Sequence, residues 1–132
     1  MDRETLKLLC LNMLDECALQ HPSGHQGKLA ARYILRRGDG DVAELMFEKG
    51  PKTSANLWVT HRRVSGLVSE PGLHFQSSPA SGLFASKNAD DKPIYGRHSA
   101  LRKMRELAHA DLICFRITQT EDLERILNHL RG

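Results

Sequence analysis

Aromatic side chains are scarce in this chain. One Trp, two Tyr and four Phe make up 5% of its 132 residues, and none alternates with Lys or Arg as on a platform where successive nucleobases stack. Trp58, between Leu57 and Val59, reads as core. Cysteine is also sparse. Cys10 and Cys17 would lie about 10 Å apart along a helix axis, beyond the roughly 6 Å Cα separation of a disulfide, and Cys114 has no CxxC partner. The three read as small buried hydrophobes of a reducing compartment. No apolar run reaches the roughly 18 residues that would span a bilayer. The first twenty residues carry Asp2, Arg3, Glu4, Lys7, Asp15 and Glu16 among their apolar positions, unlike a signal peptide. A cytoplasmic protein with no membrane partner is therefore expected. Nineteen Lys and Arg against sixteen Asp and Glu leave a net charge of +3, too little for a dedicated nucleic-acid stripe but compatible with an anionic partner.

What is present is enough for one α+β domain spanning 1–132, large enough to fold around a core without disulfides or metals. Leu6, Leu9, Cys10, Met13, Leu14 and Cys17 repeat at helical spacing, with Leu8, Leu11 and Leu19 as a second strip on the other side. A helix apolar on two sides has two surfaces to cover, either clamped between a sheet and a neighbouring helix or with its second strip against another subunit in a homodimer. His21, Pro22, Ser23 and Gly24 end the helix. Residues 29–37 and 42–48 flank Gly38-Asp39-Gly40-Asp41 as a β-hairpin, and 55–64 reads as a third strand after the turn at Gly50-Pro51-Lys52, completing an antiparallel meander.

Between 65 and 91, glycine, proline and serine break every run. This long irregular loop leaves room only for short strands near 73–76 and 83–85. A helix over 99–109, an apolar strand over 111–117 and a closing helix with Leu123, Ile126, Leu127 and Leu130 inward complete a helix-strand-helix unit packed on one face of the sheet. Thr118 with Glu121, or Thr120 alone, offers the cap of the last helix.

The candidate site lies on the helix predicted over 99–109. Ala100, Leu101, Met104, Leu107 and Ala108 form one stripe, with cations on the opposite side. Arg97, His98 and Ser99 stand where that helix would begin, and Arg102, Lys103, Arg105 and His109 extend the positive surface along it. Together they make an anion- or nucleic-acid-binding face that would hold phosphates without reading bases. Arg32, Arg36, Arg37, Arg62 and Arg63 could join it only if the sheet turns that way.

Other motifs are weaker. Gly24-His25-Gln26-Gly27-Lys28-Leu29 fails as a nucleotide loop because its first Gly stands too close to Gly27-Lys28 and Leu29 occupies the hydroxyl position. Gly38 to Asp41 lacks the oxygen ligands of a calcium loop. His21 and His25 could share a metal only if a loop brought them together. Asp41, Glu44, Glu48 and Lys49 loosely resemble the carboxylates and lysine of magnesium-dependent nucleases, but Lys49 directly follows Glu48 and would face the other side of a strand.

No cofactor, metal site or catalytic constellation is expected. The function that fits best is a small non-enzymatic module binding an anionic partner, nucleic acid first. The alternatives are a protein-interaction or inhibitory module, as homodimer or hetero-complex, and a metal-dependent nuclease.

Overall fold

Strand alternation decides how this molecule is layered. The computed structural model describes residues 1–132. It contains helices α1 (Arg3–Cys17), α2 (His61–Val68) and α3 (Thr120–Arg131), and strands β1 (Leu19–Gln20), β2 (Ala30–Arg36), β3 (Val42–Glu48), β4 (Asn56–Thr60), β5 (His74–Ser78) and β6 (Leu112–Arg116). The strands form one antiparallel sheet in the order β1-β2-β3-β4-β6-β5. The fold is α+β.

Because successive side chains on a strand point to opposite faces, Ala31, Tyr33 and Leu35 of β2 share a face with Leu45 and Phe47 of β3, Leu57 and Val59 of β4, and Ile113 and Phe115 of β6. They form one core with Leu6, Cys10 and Leu14 of α1, Val64 and Leu67 of α2, and Leu123, Ile126, Leu127 and Leu130 of α3. All three helices therefore cover this first face. Each large apolar side chain enclosed there contributes about 1.5–3 kcal/mol of burial.

A separate core lies on the other face, where Ala30, Met46 and Leu112 meet Ala100, Leu101, Met104 and Leu107, with Trp58 and Tyr95 at the margin. The segment over that face is not the helix predicted for 99–109. A single 3-10 turn, Ser99–Leu101, is followed by further tight turns, with Met104 N–H bonded to Leu101 O at 3.0 Å and Leu107 N–H to Met104 O at 3.1 Å. Leu101, Met104 and Leu107 are fully buried as expected. Their spacing of three is the repeat of a 3-10 path, which places every third residue on one side. The segment also covers the face opposite to α3, so the last three elements do not pack together on one side.

Three further boundaries differ from expectation. First, α1 ends at Cys17, and Leu19 lies in β1 paired with Ile34, because the free edge of β2 offers backbone partners. Second, β4 stops at Thr60 and the chain turns at once into α2, whose Val64 and Leu67 are both buried. The second half of α2 and all of β5 thus fall inside the 65–91 stretch, while no strand forms at 83–85. Third, neither threonine caps α3; the Asp122 carboxylate instead accepts from Thr118 N (3.2 Å) and Thr118 Oγ1 (2.9 Å). The β2–β3 hairpin forms as expected, with Gly40 at φ +88° where the turn requires a left-handed residue.

Candidate anion-binding face

The segment 95–110 is held to the sheet by buried polar groups. Glu44 is on the face of β3 opposite the helices, and its Oε1 accepts from the backbone N–H groups of Glu106 (2.6 Å) and Leu107 (3.2 Å). The Glu106 N–H is thereby taken out of any helical ladder, while the Leu107 N–H is shared between Glu44 and Met104 O. Its Oε2 is hydrogen-bonded to His21 Nε2, while His21 Nδ1 accepts from Ser23 N–H at 3.0 Å, so the imidazole proton sits on Nε2. The Glu106 carboxylate in turn accepts from Thr60 Oγ1 (3.1 Å) and from Nε and Nη2 of Arg63. Arg63 completes the clamp with Asp41 Oδ2 at 2.9 Å and Val42 O at 3.0 Å.

Burial pulls the Arg63 guanidinium toward lower pKa, but its hydrogen bonds and charge contacts with Glu106 and Asp41 outweigh that and raise it. Asp41 is held below the ordinary carboxylate range, first by the Arg63 hydrogen bond and then by the Val42 N–H.

These placements decide the fate of the loose nuclease pattern. Glu44 is spent on His21 and two backbone donors, Asp41 on Arg63, and Glu48 on Asn56 Nδ2. Glu44 and Glu48 lie four residues apart on one strand, about 13 Å at the strand rise, too far to share one ion. His21 and His25 do not converge either, since His25 bonds Arg32 O through Nδ1 at 2.8 Å and packs edge-on against Tyr33. No group of three or more metal-ligating side chains is gathered anywhere in the chain.

The residues of the predicted binding face divide into two sets. Arg97 is structural: its Nε donates to Ser78 Oγ (2.9 Å), Nη2 to Ser78 O (2.6 Å), and Nη1 to Leu107 O and Ala108 O (both 3.4 Å). It ties the covering segment to the end of β5. Gly96 before it has no room for a side chain, since a Cβ would lie 2.8 Å from Leu83 O. His98 Nδ1 accepts from Ala100 N–H at 3.1 Å. A three-residue 3-10 turn has no helix dipole to attract an anion, so the expectation of a helix N-terminus at Ser99 is not met.

Arg102, Lys103 and Arg105 form the second set. All three are exposed, and none has a carboxylate within 4 Å. The Arg102 guanidinium lies 5.5 Å from the Tyr95 ring centroid, in the range of a cation–π contact. Tyr95 is fixed by its hydroxyl donating to Ala108 O at 2.8 Å. Phe84 and His109 stack with ring centroids 6.2 Å apart at 29°, and Tyr95 meets both rings at 6.1 and 6.2 Å.

This aromatic group beside free cations was invisible in the sequence, where Phe84 stands alone in an aperiodic loop. No local signal could have paired it with His109.

Elsewhere, an open cavity of about 590 Å³ lies on the uncovered end of the same face, lined by Asn56, His74, Gln76, Cys114 and Arg116 among others. Burial, reinforced by Glu48, pushes the Cys114 thiol up to about 12, which leaves it protonated and unfit as a nucleophile near neutrality. No helix is long and apolar enough to cross a membrane. No protein-family model, curated protein or solved structure matches the chain, so functional inference rests on this geometry.

Proposed function

We propose that the protein is a small non-enzymatic module that binds nucleic acid through the outer surface of the 95–110 segment. One observation carries the reading: Arg102, Lys103 and Arg105 are exposed without counter-charges, and the first of them lies over Tyr95 in a cluster with Phe84 and His109. Guanidinium and ammonium groups neutralise phosphates. Phe84, 46% exposed, offers a ring on which an unpaired base can stack. Together they favour single strands over duplex, because stacking requires an open base.

The test is binding to a single-stranded oligonucleotide at several salt concentrations. Affinity falls with salt, and replacing Arg102 and Arg105 by Ala reduces the slope of log K against log salt by about 0.7 for each phosphate left without its cation. Phe84→Ala weakens binding by ~1–3 kcal/mol while leaving the slope unchanged. Absence of binding at low salt to single strands and duplexes alike removes the proposal.

A second reading has its own observation. Leu8 and Leu19 are 62% and 52% exposed, apolar side chains on α1 and the edge strand β1 that this chain does not cover. They support a protein-interaction role, with a homodimer as the simplest form.

A further inference from the structure

Two stretches remote in sequence meet at a small cavity of about 270 Å³, lined by Lys28, Leu29, Arg32, His98, Ser99 and Ala100 among others. One is the Gly24–Leu29 loop, which is unfit as a nucleotide loop of the Walker type; the other is the His98–Ser99 pair at the start of the covering segment. We infer that this cavity is a phosphate subsite. The inference rests on the nucleic-acid reading for the nature of its ligand.

The charge balance at the cavity points to an anion. Arg32 is anchored by Nε donating to Ala100 O at 2.7 Å and by Nη1 to Gly24 O at 3.3 Å. Both partners are neutral carbonyls, so the guanidinium is positioned without being neutralised, and Nη2 has no protein partner. Lys28 is exposed and likewise lacks a carboxylate within 4 Å. Because His98 Nδ1 accepts the Ala100 N–H, its proton resides on Nε2, which is a free donor. The Ser99 hydroxyl completes the set.

The lining thus holds two uncompensated cations and two neutral donors, with no acidic side chain among its residues. Such a set matches phosphate, whose oxygens accept charge-assisted hydrogen bonds from guanidinium and ammonium groups. A volume of about 270 Å³ is at the small end of ligand pockets and admits a phosphate with part of its sugar against Leu29 and Ala100. Arg102 N–H bonds Ser99 O at 3.2 Å, so the subsite is one tight turn from the cation and aromatic cluster. A strand seated on that cluster could place a phosphate here.

The phosphate source is either a chain end or an internal phosphodiester, and the experiment separates them. Amide chemical shifts of the full-length protein are followed on addition of inorganic phosphate, then of two oligonucleotides differing only in a 5′ phosphate. Inorganic phosphate should shift the amides of Lys28 and Ser99. Lys28→Glu and His98→Asn should each weaken that binding at least fivefold. Asparagine keeps an acceptor for the Ala100 N–H while withdrawing the donor from the more distant Nε2 position, so His98→Asn tests the subsite without undoing the turn.

Tighter binding of the 5′-phosphorylated strand assigns the cavity to a terminal phosphate. Equal binding of both strands, weakened alike by Lys28→Glu, assigns it to an internal one. Phosphate shifts that are absent, or that persist undiminished in both variants, overturn the inference. If the variants bind oligonucleotide as well as the parent does, the subsite fails while the exposed face stands; if no oligonucleotide binds but phosphate does, the reverse holds.

Discussion

Gly96 shows how a single residue can be constrained in a way its neighbours are not. Its N–H bonds Leu83 O at 2.8 Å, and a Cβ would meet that same carbonyl oxygen at 2.8 Å, a backbone atom that cannot swing aside. Gly96→Ala should therefore cost about 1–3 kcal/mol, as other overpacked sites do. Gly82→Ala, where a Cβ has no neighbour within 4 Å, should stay within about 0.5 kcal/mol. Denaturant unfolding of both variants checks the contrast, and equal effects would refute it. Arg97 carries the same lesson for charge. In sequence it was one cation among several, yet its donors are consumed by Ser78, Leu107 and Ala108, whereas Arg102 and Arg105 keep theirs.

At the scale of elements, the covering segment is held by charged groups of the sheet and of α2 as well as by its own tight-turn hydrogen bonds. Glu44 holds the N–H groups of residues 106 and 107, and Arg63 of α2 holds the Glu106 side chain. Breaking a buried pair leaves an uncompensated charge and typically costs 3–5 kcal/mol; because Asp41 is exposed at one end of this network, Arg63→Ala should cost about 2–4 kcal/mol. Amide exchange at Glu106 and Leu107 should quicken relative to β3. A loss under about 1 kcal/mol with unchanged exchange would mean that the apolar contacts of Leu101, Met104 and Leu107 hold the segment unaided. The strand–helix boundary at Thr60 was illegible for a related reason: Leu57, Val59 and Val64 continue an apolar run, and only packing of α2 against α3 selects helix beyond residue 60.

For the whole molecule, the arrangement of layers leaves particular surfaces uncovered. The helices bury one face of the sheet and the 95–110 segment much of the other, while Leu8 and Leu19 remain in solvent. If these side chains join two copies, sedimentation should show a dimer that Leu8→Glu and Leu19→Glu each convert to monomer, since an ion pressed into an apolar contact loses its hydration. A parent protein that is monomeric over the whole concentration range would exclude the homodimer. The 95–110 segment, the proposed nucleic-acid face, is on the other side of the sheet from α1, so loss of dimerisation should leave oligonucleotide affinity intact.

The one-dimensional pattern was sufficient for the α+β class, the β2–β3 hairpin, the apolar strand β6, the closing helix, and the burial of Leu101, Met104 and Leu107. These follow from periodicity and turn chemistry, which act between residues close in the chain. It was insufficient for the backbone form of 99–109, because a spacing of three suits both an α-helix and a succession of 3-10 turns; the Glu44 carboxylate, more than sixty residues away, decides between them. It was also insufficient for the company each charge keeps. Whether Arg97 is spent and Arg102 free, whether Lys28 faces His98, and whether Phe84 reaches His109 are set by contacts across the sheet, and such contacts leave no trace in local order.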